Sequence, residues 1–325
     1  MVQEISRGPT TPPHTKRSHA RPHLQLSCRT TVKILITGIS GFIGGSFGRF
    51  AAQLGHEIAG TGRDDDLERR ISDFSPHVVV NAAGTASVAA SLDDPLHDFR
   101  GSVQTCADVL EAVRRSGKNP LVVIPSSAAV YGNPASLPVT EEVTLKPISP
   151  YGFHKAASEL LAREYAECFG LKVMICRFFS VFGPAQRRLL VWELYQQLAG
   201  PEKVAWLAGT GEETRDFLYI DDLSAALLSL IEKFADEHSL VVNVASGTET
   251  SVLHLAETIR DLVAPEKEVR CRGRQRKNDP LRWWADISRL QNLLPSWQPR
   301  TLDETLPLCV DTWQQTEPIS LQHGS

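Results

Sequence analysis

The chain has little that would tie it to nucleic acid, a membrane or a metal. Its 325 residues carry a net charge of only −4, and no basic stripe runs through the body of the sequence. That argues against nucleic acid as a partner. No apolar run approaches the roughly 20 residues of a membrane-spanning helix. The six cysteines, Cys28, Cys106, Cys168, Cys176, Cys271 and Cys309, form no CxxC pair and join no His/Cys cluster. Such spacing suits free thiols in a reducing compartment and offers no metal site. Acids are almost missing from the first thirty positions, where Glu4 stands alone among Pro, Thr, Arg and His. That stretch also lacks the apolar core of a secretory signal. Residues 1–30 are expected to be a disordered extension on a cytoplasmic protein, with organellar import through the acid-poor extension as the alternative.

What is present is a rhythm of short apolar runs and helical stretches. VKILITG, HEIAGTG, PHVVVNAAG, PLVVIPSS and LKVMICRF read as strands, most of them apolar without alternation. Strands of that kind, separated by helices, indicate a parallel sheet covered on both faces. Helices are expected at 96–116 and from Pro150 to about 169. After Val181 the rhythm loosens into shorter elements, with RDFLYIDDL and VVNVASG returning to the sheet. The expected architecture is α/β: a Rossmann doubly wound sheet over 31–180 with return segments near 216–247. A smaller C-terminal lobe over 181–215 and 248–315 would hold the substrate, and 316–325 is a tail.

TGISGFIGG sets Gly38, Gly41 and Gly44 between the first strand and the first helix. The first glycine permits a tight turn, the second lets backbone approach a pyrophosphate, and the third lets helix and strand pack closely. The helix start then offers unpaired N–H groups to the phosphates. Phe42, Ile43, Ala82 and Ala83 flank the same crevice. In NAD-binding relatives of this motif an acid about 20 residues on grips the ribose. Here the second strand ends in AGTGRDDD. Arg63 suits the 2′-phosphate of NADP, whereas Asp64 or Asp65 would suit the NAD ribose. The cofactor is NAD or NADP, and Arg63 tips the balance slightly to NADP.

SPYGFHKAASELLAREY places Tyr151 and Lys155 four apart on one helix face. A phenol ordinarily titrating near ~10 is a poor base at neutral pH. A nearby ammonium and an oxidised nicotinamide both favour its phenolate. Lys155 is thus both a catalytic and a cofactor-side residue. SSAAVYG follows the apolar run LVVIP and brings Ser126 and Ser127 to a strand end on the cofactor's side of the sheet. A hydroxyl there either bonds a substrate oxygen or satisfies its own turn.

GxxGxxG, SSxxVYG, YxxxK, RFFSVFGP and RDFLYIDDL, in this order, resemble the extended short-chain dehydrogenase/reductases, the nucleotide-sugar epimerase and dehydratase group. The resemblance runs from about Val32 to Thr312. It implies catalytic Ser127, Tyr151 and Lys155, with Ser126 as a neighbouring candidate, and a nucleotide-sugar pocket towards the C-terminus. RKNDPLRWWADISRL with TLDETLPLCVDTW is similar to the C-terminal segment of UDP-galactose 4-epimerases. That likeness implies Arg276 on the substrate diphosphate and Asp279 on the nucleotide ribose. Arg215, in GTGEETRDF, matches the family's second diphosphate arginine. Ser180 and Ser102 stand where family members commonly carry asparagine, so the sugar pocket is expected to differ.

In the dehydratases and decarboxylases of this group, acids follow the serine or threonine of the SSAAVYG stretch. Ala128 and Ala129 stand there and can neither donate nor accept a proton. The resemblance therefore implies C4 epimerisation of a nucleotide sugar through a transient 4-keto sugar. An NADPH-dependent keto-sugar reductase is the alternative, and a non-catalytic nucleotide-binding protein of the same fold the third reading. The helices at 96–116 and 150–169 resemble those by which relatives form homodimers.

Overall fold

The computed structural model describes residues 31–62, 65–234, 239–273 and 280–316. The chain divides into two units, Met1–Thr31 and Val32–Ser325, and everything below concerns the second. The expected disordered extension lies outside the described residues, as do positions 317–325.

β1 (Lys33–Thr37), β2 (Glu57–Thr61), β3 (Val78–Asn81), β4 (Leu121–Ser127) and β5 (Val173–Phe178) come first. The short strands β6 (Ser180–Phe182), β7 (Val204–Leu207), β8 (Thr214–Arg215) and β9 (Phe217–Tyr219) follow. β10 (Ser239–Val244) then returns to the main sheet, ahead of β11 (Thr250–Ser251) and β12 (Glu268–Cys271). The main sheet has six strands in the order β2-β1-β3-β4-β5-β10, with every pair parallel. After β2 the chain crosses back over β1 and lays β3 on its other side. Winding reverses between β1 and β3, and ligands of such sheets bind in the crevice beyond those two carboxyl ends.

The helices are α1 (Phe42–Gln53), α2 (Leu67–Phe74), α3 (Val88–Asp93), α4 (Pro95–Phe99), α5 (Thr105–Arg115) and α6 (Pro150–Phe169). Five more follow: α7 (Leu190–Ala199), α8 (Ile220–Phe234), α9 (Val252–Val263), α10 (Ser288–Leu293) and α11 (Leu302–Thr316). Side chains on a strand alternate between faces. Ile34, Ile36, Val78, Val80, Val123 and Met174 accordingly join the core that holds α1 and α8. Leu35, Val79, Val122, Ile124 and Ile175 pack instead with α2, α5 and α6. The first cluster continues into Trp192, Leu255 and Trp313, so α7, α9 and α11 share the sheet's core.

Two helices position the site. α6 starts where Ser149 accepts a hydrogen bond from the Gly152 N–H at 3.2 Å and Pro150 takes the first helical position. It stops at Gly170, whose left-handed backbone closes the last turn. The helix expected at 96–116 runs from α4 to α5 through a π turn at Arg100–Gln104.

Candidate active site

The glycine-rich turn is shaped by close contact. Gly38 has φ 68°, and a Cβ there would stand 2.7 Å from the Ala83 backbone. Both the conformation and the space demand glycine. A Cβ on Gly44 would stand 2.5 Å from the Gly38 carbonyl, which seats α1 directly on the turn. Gly41 caps α1 with no side-chain acceptor, and the first turn, opened by Phe42 and Ile43, has no acid. The first N–H groups of α1 therefore remain open to an anion at a positive dipole end. Opposite, the Ala83 N–H donates to Thr37 Oγ1 (3.2 Å), and the Thr37 hydroxyl donates to Asn81 Oδ1 (2.9 Å). The ends of β1 and β3 are thereby locked beside Ala82. A cradle that any Cβ would fill, facing an uncapped helix start, fits a dinucleotide pyrophosphate. At the end of β2 the Gly62 N–H donates to Asp65 Oδ2 at 2.8 Å. Arg63 and Asp64 lie outside the described residues.

The structure brings Tyr151 and Lys155 together. Lys155 Nζ donates to the Pro125 carbonyl at 3.0 Å and lies 5.8 Å from the centre of the Tyr151 ring. That bond pins the lysine to β4, two residues before Ser127. Ser127 Oγ accepts the Ala129 N–H at 3.2 Å and so caps the short 3₁₀ turn Ala128–Val130. The hydroxyl keeps its own proton and a second lone pair for another partner. Both expected roles of a serine here, turn cap and substrate donor, are compatible with this placement. A residue that sequence reasoning passed over sets the distance: a Cβ on Gly152 would lie 2.5 Å from the Ala129 carbonyl. Because residue 152 is glycine, the first turn of α6 rests on the Ser127–Ala129 turn and carries Tyr151 to it. Ala128 and Ala129 are buried beneath that contact.

Ser126, expected as a substrate contact, points the other way. Neighbouring strand residues face opposite sides of a sheet, so only one of the two serines can face the cofactor side. Ser126 Oγ donates to Glu159 Oε1 at 2.6 Å in the interior. Glu159 accepts from Arg177 Nε (3.0 Å) and Nη2 (2.8 Å), a forked ion pair. Arg177 Nη1 also donates to Tyr131 Oη (2.9 Å), and the Tyr131 hydroxyl donates to Asn243 Oδ1 (2.7 Å). This chain of contacts ties β4, α6, β5 and β10 together directly under the site. Burial pushes the Tyr131 phenol up to about 12, against the pull of Arg177.

Of the expected substrate residues, Ser180 opens β6 half-buried, and its N–H donates to the Asp216 carbonyl at 2.9 Å. Arg215 is buried beside it, with Nη1 donating to the carbonyls of Thr214 (2.6 Å) and Pro280 (2.9 Å). Its guanidinium lies 5.7 Å from the centre of the Trp283 ring. Arg276 and Asp279 fall outside the described residues. The Asp216 carboxylate is held by the N–H groups of Ser246, Gly247 and Ala285 and by the Ser246 hydroxyl. Sequence reading missed Asp98, whose buried carboxylate meets Thr85 and His154 one helical turn from Tyr151.

The profile of the NAD dependent epimerase/dehydratase family matches residues 34–245. The chain belongs to this family. A UDP-glucuronate 4-epimerase of Thermodesulfobacterium geofontis is 27% identical over 318 residues, covering 85% of this chain and 94% of its own. A GDP-6-deoxy-D-mannose reductase of Pseudomonas aeruginosa is 28% identical over 300 residues, covering 87% and 98%. Among solved structures, TunA, an NAD dependent NDP-hexosamine 5,6-dehydratase, aligns with a TM-score of 0.78 at 28% identity over 88% of this chain and 98% of its own. Related structures at 25% identity are complexed with NAD in one case and NADPH in another. The family member described here is thus an NAD(P)-dependent enzyme of the nucleotide-sugar epimerase, dehydratase and reductase group, built on the extended short-chain dehydrogenase/reductase fold. No described helix is long and apolar enough to cross a membrane.

Proposed function

We propose that this enzyme epimerises a nucleotide sugar at C4. The observation that carries the reading is the packed Ser127–Ala129 turn. It presents one hydroxyl beside the Tyr151/Lys155 pair, and fills with buried alanines the two positions from which an elimination would draw an acid. The group includes a reductase and a dehydratase among similar proteins, so residue chemistry, not likeness, separates the readings.

The Gly38–Gly44 cradle and the start of α1 would hold the cofactor's pyrophosphate, and Ala82–Ala83 would wall the same crevice. A nicotinamide bound there would supply reversible hydride acceptance at the carbinol carbon, and inversion would require the 4-keto sugar to turn over in the pocket between the two transfers. Tyr151 Oη takes the C4 hydroxyl proton and later gives it back. The Lys155 ammonium, pinned by the Pro125 carbonyl, stabilises negative charge on the phenol oxygen. The Ser127 hydroxyl donates to the same sugar oxygen and holds it against Tyr151. Arg215, with Arg276, would bind the diphosphate, where forked donors fit phosphate oxygens, and Asp279 would contact the nucleotide ribose. Ser180 reaches the sugar with a shorter side chain than the asparagine of relatives. The partner in solution is a second copy, covering Leu96 and Phe99 of α4 and Phe153 and Leu160 of α6, which are exposed together.

The test is incubation of the purified enzyme with UDP-galactose, UDP-N-acetylgalactosamine and GDP- or dTDP-sugars, without added cofactor. Appearance of the C4 epimer supports the reading. Turnover confined to a parallel incubation with a keto-sugar nucleotide and added NADPH, oxidised stoichiometrically, overturns it in favour of the reductase. Tyr151→Phe should abolish either activity while the cofactor stays bound. Naming the cofactor released on denaturation settles whether Arg63 selects NADP.

A further inference from the structure

We infer that Thr85, Asp98 and His154 form a positioning relay that fixes the Tyr151/Lys155 turn of α6 against the cofactor wall. The inference rests on Tyr151 being the proton-transfer group. Asp98, on α4, is only 2% exposed. One carboxylate oxygen receives the Thr85 hydroxyl, and the other lies 2.5 Å from His154 Nδ1. The Thr85 hydroxyl donates to one oxygen and the His154 ring meets the other, which orients both side chains. His154 is three residues after Tyr151 and adjacent to Lys155, and its ring meets Phe99 edge-on at 5.6 Å.

The other arm reaches the cofactor wall. Thr85 follows Ala83 by two residues and Ala82 by three, and its Oγ1 is also 3.1 Å from Ser102 Oγ in the π turn. A Cβ on Gly101 would stand 3.0 Å from Thr85 Cγ2, so the π turn seats directly on this loop. One turn further along α6, the Ser158 hydroxyl lies 2.9 Å from the His154 carbonyl and 3.4 Å from the Ser102 carbonyl. The loop leaving β3 and the start of α6 therefore meet on one buried carboxylate, and the π turn joins them through Thr85 and Ser158. An apolar contact could hold these segments together, but it would not fix their direction. Hydrogen bonds do, and displacement of a catalytic group by ~1 Å can cost ~100-fold in rate.

Paired variants test this in the cofactor-loaded enzyme. Thr85→Val keeps the shape and removes the hydroxyl, and Thr85→Ser restores it. His154→Leu removes the donor, and His154→Asn replaces one near Nδ1. The readouts are kcat, KM for the nucleotide sugar, cofactor content and melting temperature. Thr85→Val and His154→Leu should lower kcat by about tenfold or more, with KM and cofactor content within about twofold. Thr85→Ser and His154→Asn should return kcat to within about threefold of wild type. Wild-type kcat in Thr85→Val, or a loss that follows cofactor content and is not rescued by Thr85→Ser, overturns the inference. If His154→Leu does not fold, the Thr85 pair decides. If the wild type turns over no nucleotide sugar, the functional reading fails on its own. The emission of bound reduced cofactor then reads the same pairs, and a Thr85→Val spectrum identical to wild type overturns the relay.

Discussion

Glu159 and Arg177 lie beneath the end of β4, and neutralising one of them exposes how much of the candidate site's rigidity depends on their charge. Glu159 is 1% exposed and Arg177 5%. Its carboxylate takes three hydrogen bonds, one from Ser126 and two from the guanidinium. Glu159→Gln keeps the size but leaves a buried guanidinium without its counter-charge. Breaking such a pair from one side costs roughly 3–5 kcal/mol. At roughly 2–4 °C per kcal/mol for a chain of this class, melting falls by on the order of 10 °C. Removing both charges with Glu159→Leu/Arg177→Met leaves no orphan ion. The double variant should therefore lose less than Glu159→Leu and Arg177→Met do in sum, by roughly 1–3 kcal/mol of coupling. Urea unfolding followed by tryptophan emission measures this, at a fixed excess of cofactor because binding raises apparent stability. A Glu159→Gln variant within about 1 kcal/mol of wild type, or strict additivity in the cycle, would show the pair to be a bystander.

Three further outcomes are expected. Gly152→Ala sets a methyl group against the Ala129 carbonyl at a spacing of 2.5 Å, so the first turn of α6 must lift. Turnover should fall by about tenfold or more while cofactor stays bound; full activity would mean that this contact does not set Tyr151. Phe153→Asp with Leu160→Asp places charge on side chains that are 59% and 62% exposed. If the proposed homodimer forms, sedimentation should show a dimeric wild type and a monomeric variant; an unchanged dimer would place the interface elsewhere, and a monomeric wild type would refute the dimer. Burial pushes Asp216 up to about 6 from an ordinary 3.8, against the four donors that hold it. A folded-state value above the unfolded one gives stability that is full below about pH 4 and is lost as pH climbs through about 6. The stability difference between wild type and Asp216→Asn should therefore change by up to about 3 kcal/mol between pH 4 and pH 7. A difference that is flat across that range refutes the assignment.

Strands with two buried faces leave unbroken apolar runs, so the sheet, its helices and the glycine turn were legible from sequence. α2 went unread although Leu67, Ile71 and Phe74 recur at helical spacing and pack on the sheet, because eight residues carry that period for only about two turns. Tyr151 and Lys155 were legible because helical spacing alone puts them on one face. Ser126 and Ser127 were not separable by composition. Strand alternation does separate them, and it could have been applied: the residue facing α6 finds Glu159, and its neighbour faces the crevice. Gly152 carried a signal only in hindsight, since a glycine in a helix start costs little and needs no contact to explain it. Asp98 and His154 are 56 positions apart, and nothing local marks them as partners.

The two alanines after Ser127 now bear on the chemistry through packing as well as through what they lack. Ala128 and Ala129 are 2% and 5% exposed, so an acid introduced at either position would have to be desolvated there. The turn meets the start of α6 through the Ala129 carbonyl, and neither alanine side chain offers a proton for elimination. In this chain the turn that seats the start of α6 thus brings one hydroxyl and no second acid to the proposed proton exchange. Hydride chemistry at a single carbon requires nothing more than the one hydroxyl and the one phenol that the seat presents.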